Sequence, residues 1–140
     1  MSDRRVDMLR RVPLFDGLTE KELGAIAAAM RERDFQPGQE IVHEGEGGVG
    51  FFVIADGRAA VFVHGEERGT LGEGASFGEV ALLDEGRRSA TVTAVTPVRV
   101  FGLTAWQFTP LLEQHPGIAV KIARMLARRL REAEERAPAG

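Results

Sequence analysis

Apolar residues recur along this chain with two different periods, and the changes of period divide it into three parts. Leu23, Ile26, Ala27 and Met30 fall at i, i+3, i+4 and i+7, one face of a helix. Ahead of them Thr19 and Glu22 have the spacing of a capping box, and Leu18 and Leu23 that of a hydrophobic staple. This helix is expected to end near Arg33. Residues 4–12 are basic and amphipathic, too short a stretch to assign alone. From Asp34 to about Leu103 glycines crowd between short β-type segments: Glu40–Glu44, Phe51–Ala55, Arg58–His64, Glu67–Leu71, Ala90–Val95 and Val98–Leu103. Short strands at regular spacing predict an all-β sandwich or barrel. Asp56-Gly57 and His64-Gly65 are expected as tight hairpin turns. No long helical pattern separates the strands, which argues against a parallel α/β sheet.

Beyond the strands the helical period returns. Thr104 and Gln107 form a second capping-box pair, and Phe108, Leu111 and Leu112 share a face. Pro110 lies inside this short helix and is expected to kink or shorten it. Past Pro116-Gly117 the longest helix is predicted. Its apolar stripe is Ile118, Ile122, Met125, Leu126, Leu130 and Ala133, with Arg128–Glu132 and Glu132–Arg136 pairs on the exposed side. Ala137–Gly140 are expected to fray.

At 140 residues the chain has room for one ordinary domain and not for two. A net charge of -3, with a pI near 5.7, argues against a nucleic-acid polyanion as the main ligand. No apolar run approaches the roughly 20 residues of a membrane span. The charged start, Met1-Ser2-Asp3-Arg4-Arg5-Val6-Asp7, is unlike a signal peptide, so a cytoplasmic location is expected. Without cysteine there is no disulfide, thiol redox chemistry, Fe–S ligation or Cys-type zinc site. His43, His64 and His115 lie far apart with no His-x-His spacing, the pattern of surface or core fillers rather than of a metal site. No Ser/His/Asp arrangement is visible from spacing.

The candidate chemistry lies in one stretch, Phe77 to Val92. It sets a carboxylate, Glu79, just after Gly78 at the start of a short apolar turn, Val80-Ala81-Leu82-Leu83. A charged, glycine-containing loop follows, then Arg87-Arg88-Ser89-Ala90 and an alternating strand. The start of a helical turn leaves free N–H groups, an anion site. Arg88 can present a forked, permanently charged guanidinium to two phosphate oxygens. Ser89 adds a hydroxyl donor, and the Ser89 and Ala90 amides can add backbone donors. Glu79 has the wrong sign for phosphate and suits sugar hydroxyls. Together these residues describe a pocket for a small sugar-phosphate.

This stretch resembles the phosphate-binding cassette of the cyclic-nucleotide-binding domain family, of the catabolite-activator and kinase-regulatory-subunit type. The cassette pattern is F-G-E-[LIV]-A-L-[LI], a variable loop, then R-[STA]-A-[TS]-V. The likeness extends to Pro13-Leu14-Phe15-Asp16-Gly17-Leu18-Thr19, Pro37-Gly38, Glu44-Gly45-Glu46, Phe52-Val53-Ile54, Gly57 and Leu71-Gly72-Glu73-Gly74, covering about residues 12–135.

The resemblance implies a mainly β fold, an eight-stranded jelly-roll or β-roll with flanking helices. N-terminal helices would occupy about 4–33, the β-roll about 34–103 and two C-terminal helices about 104–136. It implies a cyclic-nucleotide site at Phe77, Gly78, Glu79, Val80, Ala81, Arg88, Ser89 and Ala90, with Arg87 solvated. Family members with alanine at the position of Ser89 tend to prefer cAMP, and those with threonine often accept cGMP better. Serine occurs in cAMP-responsive bacterial members, so cAMP is expected first, with cGMP as the alternative. The implied function is a non-catalytic sensor, with no cofactor or metal, that passes occupancy to its C-terminal helix. Met125, Leu126 or Leu130 would cover the base there, with Arg124 or Arg128 at its edge. That helix would also meet an effector protein or a second copy of the chain.

Two departures stand out. No aromatic residue in the last helix could stack on a purine, and Val49 replaces the small polar or acidic residue of many relatives. Neither a helix-turn-helix nor preceding membrane helices are visible. A stand-alone sensor or an excised regulatory domain is therefore expected, the initiating methionine favouring the former. Two rival readings are a metal-dependent cupin-like or phosphodiesterase-like enzyme on a similar roll and a degenerate scaffold that binds nothing. The first would need clustered His, Asp or Glu; an intact Glu79 and Arg88 argue against the second.

Overall fold

The computed structural model describes residues 4–48, 50–84 and 86–137. Val49 and the two ends, where fraying and the charged start were expected, lie outside the described residues. The described elements are α1 (Arg4–Leu9), α2 (Glu20–Ala29), β1 (Arg31–Phe35), β2 (Glu40–Val42), β3 (Gly47–Gly48), β4 (Gly50–Asp56) and β5 (Ala59–Val63). They continue with β6 (Glu66–Leu71), β7 (Ser76–Phe77), β8 (Gly86–Arg87), β9 (Thr91–Ala94), β10 (Val98–Thr104), α3 (Ala105–Gln114) and α4 (Pro116–Arg136). Short 3-10 turns sit at Pro13–Phe15 and Glu79–Leu82.

The fold is mainly β with flanking helices. Eight strands form two antiparallel sheets, ordered β1-β10-β4-β7 and β2-β9-β5-β6, and β3 and β8 pair as a separate ribbon. One apolar cluster lies between the sheets and joins Phe52, Ile54 and Val100 to Ala59, Val92 and Ala94. The alternate residues of β4, Phe51, Val53 and Ala55, face a second cluster built with the helices. Because its sheet is covered on both faces, β4 is a continuous apolar run rather than an alternating one. Phe15 closes the helical cluster, its ring 5.9 Å from Phe51 and 6.0 Å from Phe108.

The capping box of α2 is present: Glu22 N–H donates to Thr19 Oγ1 at 3.1 Å, and Thr19 N–H to Glu22 Oε1 at 2.8 Å. Leu18 and Leu23 are both buried in the helical cluster, as are Ile26, Ala27 and Met30. Thr19→Ala is expected to cost about 1 kcal/mol of stability, the usual loss of an N-cap hydroxyl, and urea unfolding measures it. No change in the midpoint would show the cap to be idle.

α2 ends at Ala29, four residues before the expected Arg33, and β1 begins at Arg31. Arg31 to Asp34 are all exposed, so this edge strand carries no apolar alternation, and its Arg and Glu are good helix formers. The register Asp34↔Arg99 instead sets a cross-strand ion pair of 3.0 Å. His64-Gly65 is a hairpin turn, with φ of +52° and +79° between β5 and β6. Asp56-Gly57 is not a hairpin. It carries the chain from β4 in one sheet to β5 in the other, and a Cβ on Gly57 would strike the Pro97 carbonyl.

Pro110 does not shorten α3, which runs four residues past it. The first half of α4 is buried through Ile118, Ile122 and Met125, but Leu126, Leu130 and Ala133 of the predicted stripe are exposed. Neither Arg128–Glu132 nor Glu132–Arg136 is an ion pair among the described residues; Lys121 of α4 instead reaches Glu22 of α2 at 2.6 Å.

Candidate functional site

β7 delivers the cassette. Ser76 and Phe77 pair with Val53 and Phe52 of β4, and the Phe52 and Phe77 rings lie 5.4 Å apart. Gly78 then turns with φ +83°, in the left-handed region, and starts the 3-10 turn Glu79–Leu82. Ala81 and Leu82 are buried, Leu82 in the helical cluster, so the turn is tied to the core at its far end. Glu79 and Val80 face the other way.

The return side of the cassette is held by backbone. Arg88 N–H donates to the Glu46 carbonyl at 2.8 Å, and Gly45 N–H to the Arg88 carbonyl at 2.9 Å. β8 pairs Arg87 with Gly47 of β3. This stapling fixes where the Arg88 side chain begins. Its Nη2 donates to the Gly50 carbonyl at the start of β4.

All eight residues picked from the sequence line one cavity of about 540 Å³. Phe77, Gly78, Glu79, Val80 and Ala81 come from one side, and Arg88, Ser89 and Ala90 from the other. Arg87 is exposed, as expected. The sequence pattern missed the apolar wall contributed by Val42 of β2 and Val92 of β9, whose side chains read as ordinary strand residues. It also missed the Gly50 carbonyl, a backbone acceptor that no side-chain motif announces.

Of the charged residues lining the cavity, Asp84 and Arg87 are exposed, whereas Arg88 and Glu79 are partly buried. Arg88 is half-buried, and burial pulls its guanidinium below the usual arginine range, although it stays charged. Among the described residues it has no carboxylate partner. In the same cavity Glu79 Oε2 is buried and accepts no hydrogen bond among the described residues. Leaving a buried acceptor unsatisfied costs about 1–3 kcal/mol, more for a charged group. The cavity thus presents an unpaired cation and an unsatisfied carboxylate, suited to a ligand carrying both an anion and hydroxyl donors.

A sequence profile described as the cyclic nucleotide-binding domain matches residues 32–115. The chain belongs to the cyclic nucleotide-binding domain family. It is similar to the cyclic AMP receptor protein of Thermus thermophilus, 36% identical over 127 residues, which cover 87% of this chain and 59% of that one. It is also similar to a cAMP-dependent protein kinase regulatory subunit of Hypocrea atroviridis, 36% identical over 112 residues, 80% of this chain and 24% of that one. Among solved structures, the N-terminal domain of a transcriptional regulator from Streptomyces coelicolor A3(2) superposes with a TM-score of 0.86 at 32% identity. The match covers 96% of this chain and 99% of that one. The chain spans 59% of the length of the first of these curated relatives and 24% of the second.

The last helix of this cyclic nucleotide-binding domain departs from expectation. Met125, Leu126, Leu130, Arg124 and Arg128 are not at the cassette cavity. Met125 is 4% exposed within the helical cluster, committed to the core, while Arg124 and Arg128 line a separate hollow with Asp16. Among the described residues no group of three or more His, Cys, Asp or Glu is placed to hold a metal ion, the cluster a cupin-like enzyme would need. No described helix is long and apolar enough to cross a membrane.

Proposed function

We propose that this chain is a non-catalytic regulatory domain that binds cAMP in the cassette cavity and passes occupancy to α4, with cGMP as the alternative ligand. The observation that carries the reading is the pairing of opposite needs in one cavity. Among the described residues Glu79 Oε2 lacks a donor, and Arg88 has the Gly50 carbonyl but no carboxylate as partner. A cyclic nucleotide answers both, its ribose hydroxyl donating to Glu79 and its phosphate accepting from Arg88. Ser89 and the free amides of Ser89 and Ala90 then supply donors to the remaining phosphate oxygens. Val42 and Val92 give the base an apolar wall, and about 540 Å³ is an ordinary size for a small-ligand pocket.

Loss of one charge-assisted hydrogen bond costs on the order of 1.5–3 kcal/mol, about ten- to a hundredfold in affinity. 2'-Deoxy-cAMP is therefore expected to bind that much more weakly than cAMP, and competition against a fluorescent analogue measures the ratio. Equal affinities would remove Glu79 from the site.

α4 is not at the cavity, so the signal has to travel. Leu82, the last residue of the cassette turn, shares a cluster with Ile118, Ile122 and Met125. A ligand that pulls the Glu79–Leu82 turn shifts the surface on which α4 packs. Coupling requires that the ligand favour one packing over the other, typically by about 1–3 kcal/mol. Hydrogen exchange across residues 117–135 is expected to change on adding cAMP. Identical exchange there, with protection only in the cassette, would make the domain a passive binder.

A further inference from the structure

The loop that staples the Arg88 backbone has little packing of its own. Gly45 and Glu46 make the two hydrogen bonds to Arg88, yet both are exposed, as is Gly47. The ladder beyond them pairs only Gly47 and Gly48 with Arg87 and Gly86. What ties the loop down is the residue before it. Glu44 N–H donates to Thr91 Oγ1 at 2.9 Å, at the start of β9. The Glu44 carboxylate reaches across to the turn between β5 and β6. There Oε1 accepts from the His64 N–H at 2.8 Å, and Oε2 lies 3.1 Å from His64 Nδ1. The Glu44 side chain is 24% exposed, against 48% for Glu40 in its pair with His43, so the Glu44 contacts are the less screened by water.

We propose that Glu44 is a positioning residue for the anion grip: it holds the loop from which the Arg88 backbone hangs, and so sets where the guanidinium points. This rests on the reading of the cassette cavity as a cAMP site. Glu44 does not line that cavity, so it acts through Arg88 rather than on the ligand. The sign of its effect separates this role from plain electrostatics. As a bare negative charge Glu44 repels an anionic ligand, and removing it would tighten binding. As the clasp of the Arg88 loop, its removal loosens binding.

The test is a double-mutant cycle read by cAMP titration, run beside amide hydrogen exchange of the ligand-free chain. Glu44→Ala is expected to weaken cAMP binding about three- to thirtyfold, the usual range for a residue acting through another. In the Arg88→Lys background the same change should cost less than about twofold, because the two act as a unit. Glu44→Gln keeps an acceptor for the His64 N–H and should recover part of the loss. Without ligand, the Arg88 and Gly45 amides of Glu44→Ala should exchange about tenfold faster, with the β4 amides unchanged. If Glu44→Ala does not fold, Thr91→Val, which removes only the acceptor of the Glu44 N–H, carries the comparison. Unchanged or tighter cAMP binding overturns the proposal. Equal losses in the two Arg88 backgrounds do so as well, as does exchange that stays the same at Arg88 or rises equally in β4. A wild-type chain that binds no cAMP would instead sink the cassette reading, and the exchange result then decides by itself whether Glu44 holds Arg88.

Discussion

Replacing Arg88 by alanine is expected to weaken cAMP binding by about 30- to several-thousand-fold. The estimate follows from leaving a buried anion unpaired, roughly 2–5 kcal/mol. Arg88 is suited to this role because nothing else answers its charge. Its backbone is stapled to Gly45 and Glu46, one nitrogen is held by the Gly50 carbonyl, and no carboxylate pairs with it among the described residues. Arg88→Lys should recover only part of the loss, since a point charge cannot reproduce a forked contact. A folded Arg88→Ala protein that binds within about threefold of wild type would remove the phosphate assignment.

The second large effect is expected from one methyl group. Gly78 has φ +83°, where a side chain costs about 1–2 kcal/mol. A Cβ built there would collide with the Arg88 guanidinium and come within 2.6 Å of the Gly50 carbonyl. It would strike both members of the contact that aims Arg88, beside the residue that bears Glu79. Gly78→Ala is therefore expected to lower cAMP affinity about ten- to a thousandfold, roughly 1.4–4 kcal/mol, with a smaller fall in thermal stability. Gly65→Ala also has positive φ, but its Cβ would meet nothing within 4 Å, so it controls for strain alone. If Gly78→Ala and Gly65→Ala bind cAMP alike, the cassette turn does not aim Arg88.

The cassette was legible because its chemistry is local. Sixteen consecutive residues carry the carboxylate, the guanidinium and the glycine at the turn, and outside them the cavity adds the Val42 side chain, while the Gly50 carbonyl holds Arg88. The six expected β-segments were also legible, each within two residues of an observed strand, because glycine-containing turns bracket them and β4, β5, β9 and β10 carry buried apolar residues. β1 was not. An edge strand with four exposed charged residues has no apolar period, and only its register with β10 makes it a strand. β3, β7 and β8, two residues each, are defined wholly by partners elsewhere in the chain.

The outer end of α4 shows the converse limit. Ile118 to Ala133 make an uninterrupted apolar stripe, but the body of the domain is only long enough to cover it as far as Met125. Periodicity reports which residues share a face, and it is silent on where the covering surface stops. The same limit applies to the apolar residues expected over the base, since nothing in a helical repeat says which of two surfaces it will meet.

The central claim is that the cassette cavity is a cyclic-nucleotide site, and a calorimetric titration of the chain with cAMP tests it most directly. One ligand per chain is expected, with a measurable heat that is lost in the Arg88→Ala protein and reduced with 2'-deoxy-cAMP. The same titration with cGMP ranks the two nucleotides. A folded wild-type chain that gives no saturable heat with either nucleotide at millimolar concentration would contradict the account.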